Sequence, residues 1–397
     1  MTKDFKTRSE IRERKMPRIN GNNQYKGKTI IAEDIGYSSV KFAGPDRVGI
    51  IPSYAKKADK DLEAVAKVRP EDIQLRNNKT GEIWLVGQNA QALMNQHDVA
   101  STTDMSLYTR YRYKSEVFKV IATTGICLAL WGTDSNNELF LQTGLPAEYK
   151  ARDEKDLVAA LCGVYDVSLK VGNKDWVDFQ FVLDAEHIDV MEQPKGTLCA
   201  VAYKDGELTS IGKEVMMSNS MIHDVGFGTE DDFSIRAGYK DHPKTFADTG
   251  MRAVFEKVIE EISQDNPIDV KIFEFQKYLE NGTLSFYDPN REEFGEVNFE
   301  DVLLRLNKEL GEKSMKRLMQ EYNNMMDYRY LVVTGGTGES RFEAIQNFFS
   351  KHPKLKVLPG NLNTPDLPFS YSNVIGYYMF RHAKIVSDMK KMGVKNQ

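Results

Sequence analysis

The chain has 397 residues, a formal net charge of −5 and 41% hydrophobic residues. This length allows one large domain or two comparable ones with a substantial core, so disulfides are not needed for stability. The interspersed charges argue against nucleic-acid binding over the whole surface and leave only a local basic patch for that role.

Residues 1–28 carry nine Lys or Arg residues against three acidic ones and show no apolar periodicity. This composition predicts a basic, flexible tail. One interpretation is a solvated extension, and the other is a contact with DNA or with a neighbouring subunit.

The first half of the ordered chain predicts alternating strands and helices. The expected strands are 29–34, 40–43, 48–53, 82–87, 138–143, 176–183 and 187–191, and the expected helices are 89–95, 115–131, 156–162 and 197–203. The first three strands form a β-meander with a tight turn at 36–39. The mostly polar stretch at about 50–110 predicts a small subdomain inserted into a first domain at 29–205.

The second half repeats this alternation. The expected strands are 221–224, 232–237 and 330–333, and the expected helices are 250–262, 270–279, 299–326, 342–349 and 373–389. We expect a second domain at 206–372, with an inserted subdomain at about 238–300. The last segment, 373–397, predicts a C-terminal helix that packs back on the first domain.

The three cysteines, Cys127, Cys162 and Cys199, lie far apart in apolar surroundings, which predicts reduced and buried thiols. No apolar run approaches the roughly 20 residues of a membrane-spanning helix, and the polar start of the chain does not resemble a secretion signal. The sequence therefore predicts a cytoplasmic protein without membrane association.

One pattern occurs twice, about 190 residues apart: an apolar strand that runs into Asp-x-Gly, at 34–36 and at 224–226. A single such turn is equally well explained as a plain hairpin with an Asp cap. Consecutive backbone N–H groups in a turn can bind phosphate, and glycine or serine lets the backbone approach closely. Two such turns predict a clamp that holds a polyphosphate from both sides.

Side chains near the two turns fit this role. Ser38, Ser39 and Thr229 add hydroxyl groups, and Lys41 lies one strand step beyond the first turn. Asp34 and Asp224 end the two strands, where they are placed to hold Mg²⁺ through its retained water molecules.

A third loop, 334–338, is rich in glycine and follows the buried strand at 330–333. A flat adenine and its ribose could lie against such a backbone. Taken alone the loop is a weak signal, because glycine pairs also occur in ordinary strand-to-helix connections.

The order of the motifs resembles the superfamily of actins, sugar kinases and heat-shock chaperone ATPases. Its phosphate-1, first connecting, phosphate-2, adenosine and second connecting motifs resemble residues 34–41, 192–196, 224–231, 332–339 and 373–378. The resemblance implies an actin-like (ribonuclease H-like) α/β fold, with two related domains around a nucleotide cleft and a smaller subdomain inserted into each.

The resemblance also implies roles for individual residues. Gln193, in the first connecting motif, would orient the hydrolytic water, and Asp34 and Asp224 would complete the catalytic and metal-binding set. The implied phosphate-binding residues are Gly36, Tyr37, Ser38, Ser39, Lys41, Gly226, Phe227, Gly228 and Thr229. The implied adenosine-binding residues are Gly335, Gly336, Thr337 and Glu339.

Several neighbouring residues are better explained by packing or surface roles. Glu192 is expected to be a surface acid beside Pro194, and His223 a core or hinge histidine. The aromatic residues Tyr377, Tyr378 and Phe380 are expected in the core.

Residues 51–53, 143–146 and 373–378 look like the ParM and Alp group of plasmid-segregating bacterial actins. This resemblance implies an ATPase with Mg²⁺ as cofactor, which polymerises into filaments and moves plasmid DNA through a DNA-binding adaptor on a centromere-like site. GTP in place of ATP stays open, and direct DNA contact is expected only from the basic tail.

The chain departs from this group at Phe227, where a smaller residue is usual, in its basic tail and in its length. The alternative functions are a small-molecule kinase of the same superfamily and a bacterial cytoskeletal actin for cell shape or division.

Overall fold

The structure, a computed structural model, describes residues 2–19, 27–58, 68–94, 112–133 and 138–391. It consists of two lobes, each built around a central sheet. The part of the predicted first insertion at 95–110 and the end of the chain beyond 391 lie outside the described residues.

The first lobe begins with residues 2–13 and extends to the end of α4. Its strands are β1 (Glu10–Glu13), β2 (Lys28–Ile35), β3 (Ser39–Ala43), β4 (Arg47–Pro52), β5 (Ala55–Lys57), β6 (Ile73–Asn77), β7 (Ile83–Val86), β8 (Glu138–Leu145), β9 (Gly163–Val171), β10 (Val177–Leu183) and β11 (Ile188–Glu192). Its helices are α1 (Gln88–Leu93), α2 (Glu116–Leu130), α3 (Lys150–Leu161) and α4 (Gln193–Ala202).

The second lobe follows, and the last helix returns to the first. Its strands are β12 (Tyr203–Lys204), β13 (Glu207–Leu208), β14 (Ser220–Val225), β15 (Glu230–Arg236), β16 (Tyr239–Lys240), β17 (Lys244–Phe246), β18 (Thr283–Asp288), β19 (Glu293–Asn298), β20 (Tyr330–Thr334) and β21 (Lys356–Pro359). The remaining helices are α5 (Ser210–Met217), α6 (Met251–Gln264), α7 (Ile272–Tyr278), α8 (Glu300–Glu321), α9 (Gly336–Phe349) and α10 (Ser372–Lys391).

The two central sheets share one arrangement. In the first sheet, β2 pairs with β3 antiparallel and with β8 parallel, and β8 pairs with β11 parallel. In the second, β14 pairs with β15 antiparallel and with β20 parallel, and β20 pairs with β21 parallel. The two Asp-x-Gly turns therefore occupy equivalent places, since each joins the central strand, β2 or β14, to its antiparallel neighbour.

Both first strands are buried, β2 from Thr29 to Ile35 and β14 throughout. Helices pack against both strands, which explains why burial is continuous along each strand rather than alternating. His223 lies in β14 with no exposed surface, and its Nδ1 is 2.7 Å from Asp232 Oδ1. The prediction of a core histidine is confirmed.

A second sheet of the first lobe has the order β10-β9-β6-β7-β5. Strands β5 to β7 come from the predicted insertion, whereas β9 and β10 follow β8 much later in the chain. Strand β6 pairs with β9 in the register Ile73 to Val171. Because this pairing joins distant segments, the local pattern at 50–110 does not reveal it.

The prediction of a flexible tail is wrong for the described part of residues 1–28. Strand β1 pairs antiparallel with β4 and extends the first central sheet. Backbone hydrogen bonds from Arg14 and Met16 to the turn before β4 continue this attachment, and Met16 is buried. The charged side chains concealed the strand, because an edge strand with an exposed face needs few apolar residues.

Other differences are local. The helices expected at 197–203 and 342–349 begin earlier, at Gln193 and Gly336, and α5 was not predicted from the sequence. Cys127 and Cys199 are buried as expected, but Cys162 is exposed at the end of α3. No helix within the described residues is long and apolar enough to cross a bilayer.

Helix α10 contacts α4, β2, β3 and β8. Tyr377 and Tyr378 are buried in it, as expected of core residues. The contact with α4 depends on two glycines, because a Cβ added to Gly376 would lie 1.7 Å from the carbonyl oxygen of Gly196. The two helix backbones therefore touch directly.

Candidate functional site

A cavity of about 550 Å³ lies between the two lobes. All the residues that the sequence analysis assigned to phosphate, metal, water and adenosine line this one cavity: Asp34, Gly36, Tyr37, Ser38, Ser39, Lys41, Gln193, Asp224, Gly226, Phe227, Gly228, Thr229, Gly335, Gly336, Thr337 and Glu339. These residues come from segments that are distant in sequence, and the structure brings them together.

The first turn is a closed backbone loop. The N–H of Gly36 donates to the carbonyl of Ser39 at 3.0 Å, and Ser53 supports the loop through hydrogen bonds to Gly36 and Ser38. A Cβ on Gly36 would lie 2.9 Å from the Ser39 oxygen and 3.3 Å from Lys41 Nζ. The lysine therefore does reach back to the turn, and the glycine leaves room for it.

The second turn repeats this geometry. The N–H of Gly226 donates to the carbonyl of Thr229 at 2.9 Å. The hydroxyl of Thr337 donates to the carbonyl of Gly226 at 2.8 Å, which ties the turn to the start of α9. The Thr229 hydroxyl is already used, since it donates to Asp231 at 2.8 Å.

The two turns meet across the cleft. The ring of Tyr37 lies where a Cβ on Gly228 would be, at 2.5 Å from Cδ2. The guanidinium of Arg112 covers the same ring at 4.4 Å and donates to the carbonyl of Ile35. Tyr37 is therefore an interlobe contact, and its hydroxyl is not needed to explain its position.

Phe227 lines the cavity and also packs into the second lobe. Its ring centroid is 5.9 Å from that of Phe255, and it packs against the core formed by α6, α7 and α8. The carbonyl of Phe227 accepts a hydrogen bond from the N–H of Arg252 at 2.8 Å, so both the backbone and the side chain fasten the turn to the second lobe.

Three buried carboxylates line the cavity, and two of them, Asp34 and Asp224, occupy equivalent positions in the two lobes, whereas Asp231 follows the second turn. Asp34 accepts a hydrogen bond from Gln193 Nε2 at 2.9 Å, and Lys41 Nζ lies 3.6 Å from its other oxygen. Asp224 accepts a hydrogen bond from Asn373 Nδ2 at 2.7 Å. Each of these two carboxylates is therefore oriented by an amide that comes from a helix N-terminus.

Asn373 was not identified as a site residue from the sequence, although it opens the second connecting motif. Its Oδ1 accepts hydrogen bonds from the backbone and the hydroxyl of Thr197, at 3.2 and 2.8 Å. The Thr197 hydroxyl is in turn 3.1 Å from that of Thr334. This buried network joins α4, α10 and both parallel strands of the second lobe behind Asp224.

Glu192 has a different environment from its neighbour Gln193. Its carboxylate accepts a hydrogen bond from Lys240 Nζ at 2.6 Å, which links the end of β11 to β16 in the second lobe. Glu192 does not line the cavity and is only partly exposed, so the expected surface acid is in fact an interlobe ion-pair partner.

The adenosine motif differs from the predicted loop, because α9 begins directly at Gly336. Gly335 has φ 82°, and a Cβ there would lie 2.3 Å from the Val225 carbonyl. Nothing lies within 4 Å of a Cβ on Gly336, so the first turn of the helix opens toward the cavity. Glu339 is held to one side by the N–H of Phe369, at 3.1 Å.

Burial controls the protonation of the carboxyl groups of the second lobe. Burial raises the pKa of Asp224 to about 6, with the hydrogen bond from Asn373 opposing the shift and Asp34 adding to it. Burial raises the pKa of Asp231 to about 7, against hydrogen bonds from Thr245 and Thr229. Burial therefore disfavours the ionised form of both carboxyl groups, and a bound cation would stabilise it, as expected of a cation site.

Asp231→Asn is expected to make the protein more stable than the wild type near neutral pH. The folded pKa of about 7 lies above the ordinary 3.8, so the folded state holds a proton that the unfolded state has lost. The wild type thus loses stability as the pH rises from about 4 to about 7, by at most about 1.4 kcal/mol per pH unit, and the variant does not. Urea unfolding across this range measures the difference, and parallel curves would contradict the assignment.

Comparison with known proteins supports the same architecture. Residues 32–196 match the family model described as the N-terminal domain of actin-like proteins. Comparison with curated protein sequences gives no significant match.

Solved structures match nearly the whole chain at low sequence identity. The apo ParM protein of psk41 is 16% identical, with a TM-score of 0.63 over 92% of this chain and 100% of that one. The Alp12 filament structure is 15% identical, with a TM-score of 0.57 over 91% and 100%. Ta0583, an archaeal actin homologue in complex with ADP, is 15% identical, with a TM-score of 0.58 over 89% and 99%. The fold that the five motifs imply is confirmed, and the chain has the actin-like fold.

Proposed function

We propose that this chain is an ATPase with an actin-like fold, which binds ATP between its lobes and assembles into filaments. The main observation in support of this proposal is that both Asp-x-Gly turns and the N-terminus of α9 open onto one cavity. Backbone N–H groups at such turns and at a helix N-terminus bind phosphate oxygens, because their partial positive charges point at the ligand. Structural neighbours include an ADP complex and a filament.

Different residues would bind different parts of the nucleotide. The turns at 36–39 and 226–229, with Lys41, would hold the phosphates. The first turn of α9 would support the adenosine, with Gly335 and Gly336 bringing the backbone close to it. GTP is the alternative nucleotide, which competition between the two nucleotides would distinguish.

Mg²⁺ fits the donor set of the cavity. Asp34 and Asp224 offer carboxylate oxygens, and burial makes the negative charge of Asp224 costly without a compensating cation. Oxygen ligands and retained water are what Mg²⁺ prefers. The ion would offset the charge of the phosphate groups, while the two carboxylates orient its water shell.

Gln193 would orient the attacking water. Its Nε2 donates to Asp34 at 2.9 Å, so its Oε1 is the atom left to accept a hydrogen bond from water. Hydrolysis forms a bond between that water oxygen and the γ-phosphorus and breaks the bond to ADP. Phosphoryl transfer depends mainly on positioning and charge stabilisation rather than on activation of the nucleophile. Alignment of the water is therefore the main role that this neutral side chain would need to fulfil.

Gln193→Ala is expected to assemble with Mg-ATP but to release phosphate on the order of 100-fold more slowly, because a misaligned nucleophile loses about that factor. Phosphate release and light scattering, recorded on the same sample, measure both steps. Glu192→Ala is the matched control, since its side chain pairs with Lys240 outside the cavity. Equal hydrolysis rates for Gln193→Ala and the wild type would remove Gln193 from this role.

The cellular role that we propose is segregation of plasmid DNA, with a DNA-binding adaptor linking the filament to its cargo. Binding of one ligand by both lobes favours the closed arrangement, which is how ATP would promote assembly. Sedimentation after addition of Mg-ATP tests the filament. A chain that hydrolyses ATP but never sediments, at any protein concentration or salt, would instead favour a small-molecule kinase.

A further inference from the structure

Residues 2–9 cross the cleft from one lobe to the other. Residues 4–9, together with Glu10, line the cavity beside the phosphate turns. We name residues 2–9 the strap. The chain also passes from the first lobe to the second after α4 and returns after β21. The strap is a third connection, separate from these two.

The strap is firmly attached to the first lobe. It continues into β1, whose ladder with β4 runs from Glu10 opposite Ile50 to Glu13 opposite Arg47. The N–H of Ser9 also donates to Gln88 Oε1 at 2.7 Å, at the start of α1. Backbone pairing of this kind resists separation, because every broken hydrogen bond must be replaced by water.

At the second lobe, the other end of the strap is held by side chains. Phe5 packs against the apolar cluster of α6, α7 and α8, and Thr2 is buried against Gly282. Arg8 donates to both oxygens of Glu280, at 2.9 and 2.8 Å, and Lys6 Nζ lies 3.2 Å from the same carboxylate. One acidic side chain therefore receives two cations of the strap.

The two attachments differ in strength. Glu280 and Arg8 are nearly half exposed, and exposed ion pairs contribute little and weaken as salt rises. Phe5 adds apolar contact but is not fully enclosed. The attachment to the second lobe is therefore the one that can release, while β1 stays in place.

We propose that the strap holds the lobes closed over the cavity and slows the exchange of the bound nucleotide. This inference rests on the proposed nucleotide site. A nucleotide dissociates when the lobes separate. Separation requires the strap to break its ion pairs with Glu280 and to withdraw Phe5 from the apolar cluster of α6, α7 and α8. The strap thereby sets how long each nucleotide stays bound.

Stopped-flow release of a fluorescent ATP analogue, chased with excess ATP, tests the proposal on the full chain. We expect about threefold faster release from Glu280→Gln and about tenfold faster release from Phe5→Ser, with the Glu280→Gln difference disappearing at high salt. Glu261→Gln is the matched control, since Glu261 forms a similarly exposed pair with Arg305 at 2.6 Å, away from the strap. Wild-type release rates in both strap variants would overturn the proposal.

A second measurement does not depend on nucleotide. One spin label on the exposed Cys162 and another on Lys308→Cys in α8 report the distance between the lobes. We expect longer and broader distances in Glu280→Gln and Phe5→Ser than in the wild type without nucleotide. Unchanged distances in both variants would overturn the proposed role of the strap even if ATP binds. If the wild type binds no nucleotide but the lobes separate in the variants, the strap still holds the lobes together and only the proposed nucleotide function is overturned.

Discussion

Asp224→Ala is expected to abolish nucleotide-dependent assembly. Asp224 is the carboxylate of the second lobe that accepts the hydrogen bond from Asn373, at 2.7 Å. Removing it leaves the buried Asn373 amide without its partner and the proposed Mg²⁺ site without one of its two carboxylates. Light scattering and binding of a fluorescent ATP analogue, both with Mg²⁺, measure the loss.

Asp224→Asn tests the charge of the Asp224 side chain separately from its size. This variant keeps the side-chain volume, and the raised pKa of about 6 indicates that the folded protein tolerates a neutral group there. We expect unfolding free energy equal to or above that of the wild type, together with loss of Mg-ATP-dependent assembly. Normal assembly of Asp224→Asn would show that its charge has no part in binding.

Gly376→Ala is expected to destabilise the protein by about 3 kcal/mol, because overpacking between two rigid backbones cannot be relieved by a side-chain rotation. The added Cβ would lie 1.7 Å from the Gly196 oxygen and 2.9 Å from the Ala200 nitrogen. Helix α10 would have to move away from α4, and the buried Tyr377 beside it would lose contacts. The midpoint of urea unfolding measures the change.

Gly336→Ala provides the control for this substitution. It is also a helical glycine, but nothing lies within 4 Å of its added Cβ. We expect unfolding free energy within about 0.5 kcal/mol of the wild type, since alanine also favours helix formation. The same methyl group enters the cavity, so ATP affinity should fall while stability does not. Equal destabilisation by the two variants would contradict the backbone contact at Gly376.

The sequence was most informative where function and local pattern coincide. The strands before Asp34 and Asp224 are buried apolar runs, and the turns after them need small residues, so both signals lie within a few positions. The equivalent places of the two turns in their sheets follow from the same repeat. Gln193 was identifiable only through its motif, because a single glutamine has no periodic signature.

Contacts between distant segments were not predictable in this way. Strands β9 and β10 join β6 through pairing that no local pattern encodes. Arg112 reaches Ile35 and Tyr37 from far along the chain, and Glu280 meets Arg8 across 272 residues. The basic composition of residues 1–28 indicated solvent exposure, because the acids that pair with its cations, among them Asp46, Glu138 and Glu280, are scattered far along the chain.

The crossing of α4 and α10 lies within the first lobe, beside the two places where the chain passes between the lobes. Gly196 and Gly376 bring the two helix backbones into contact there, so sliding of one helix along the other would drive Cα atoms into carbonyl groups. The end of α4 and the start of α10 are therefore held at a fixed separation on the first lobe. Any movement of the second lobe relative to the first must come from backbone rotations after Ala202 and before Ser372, so these two junctions are the positions of the hinge.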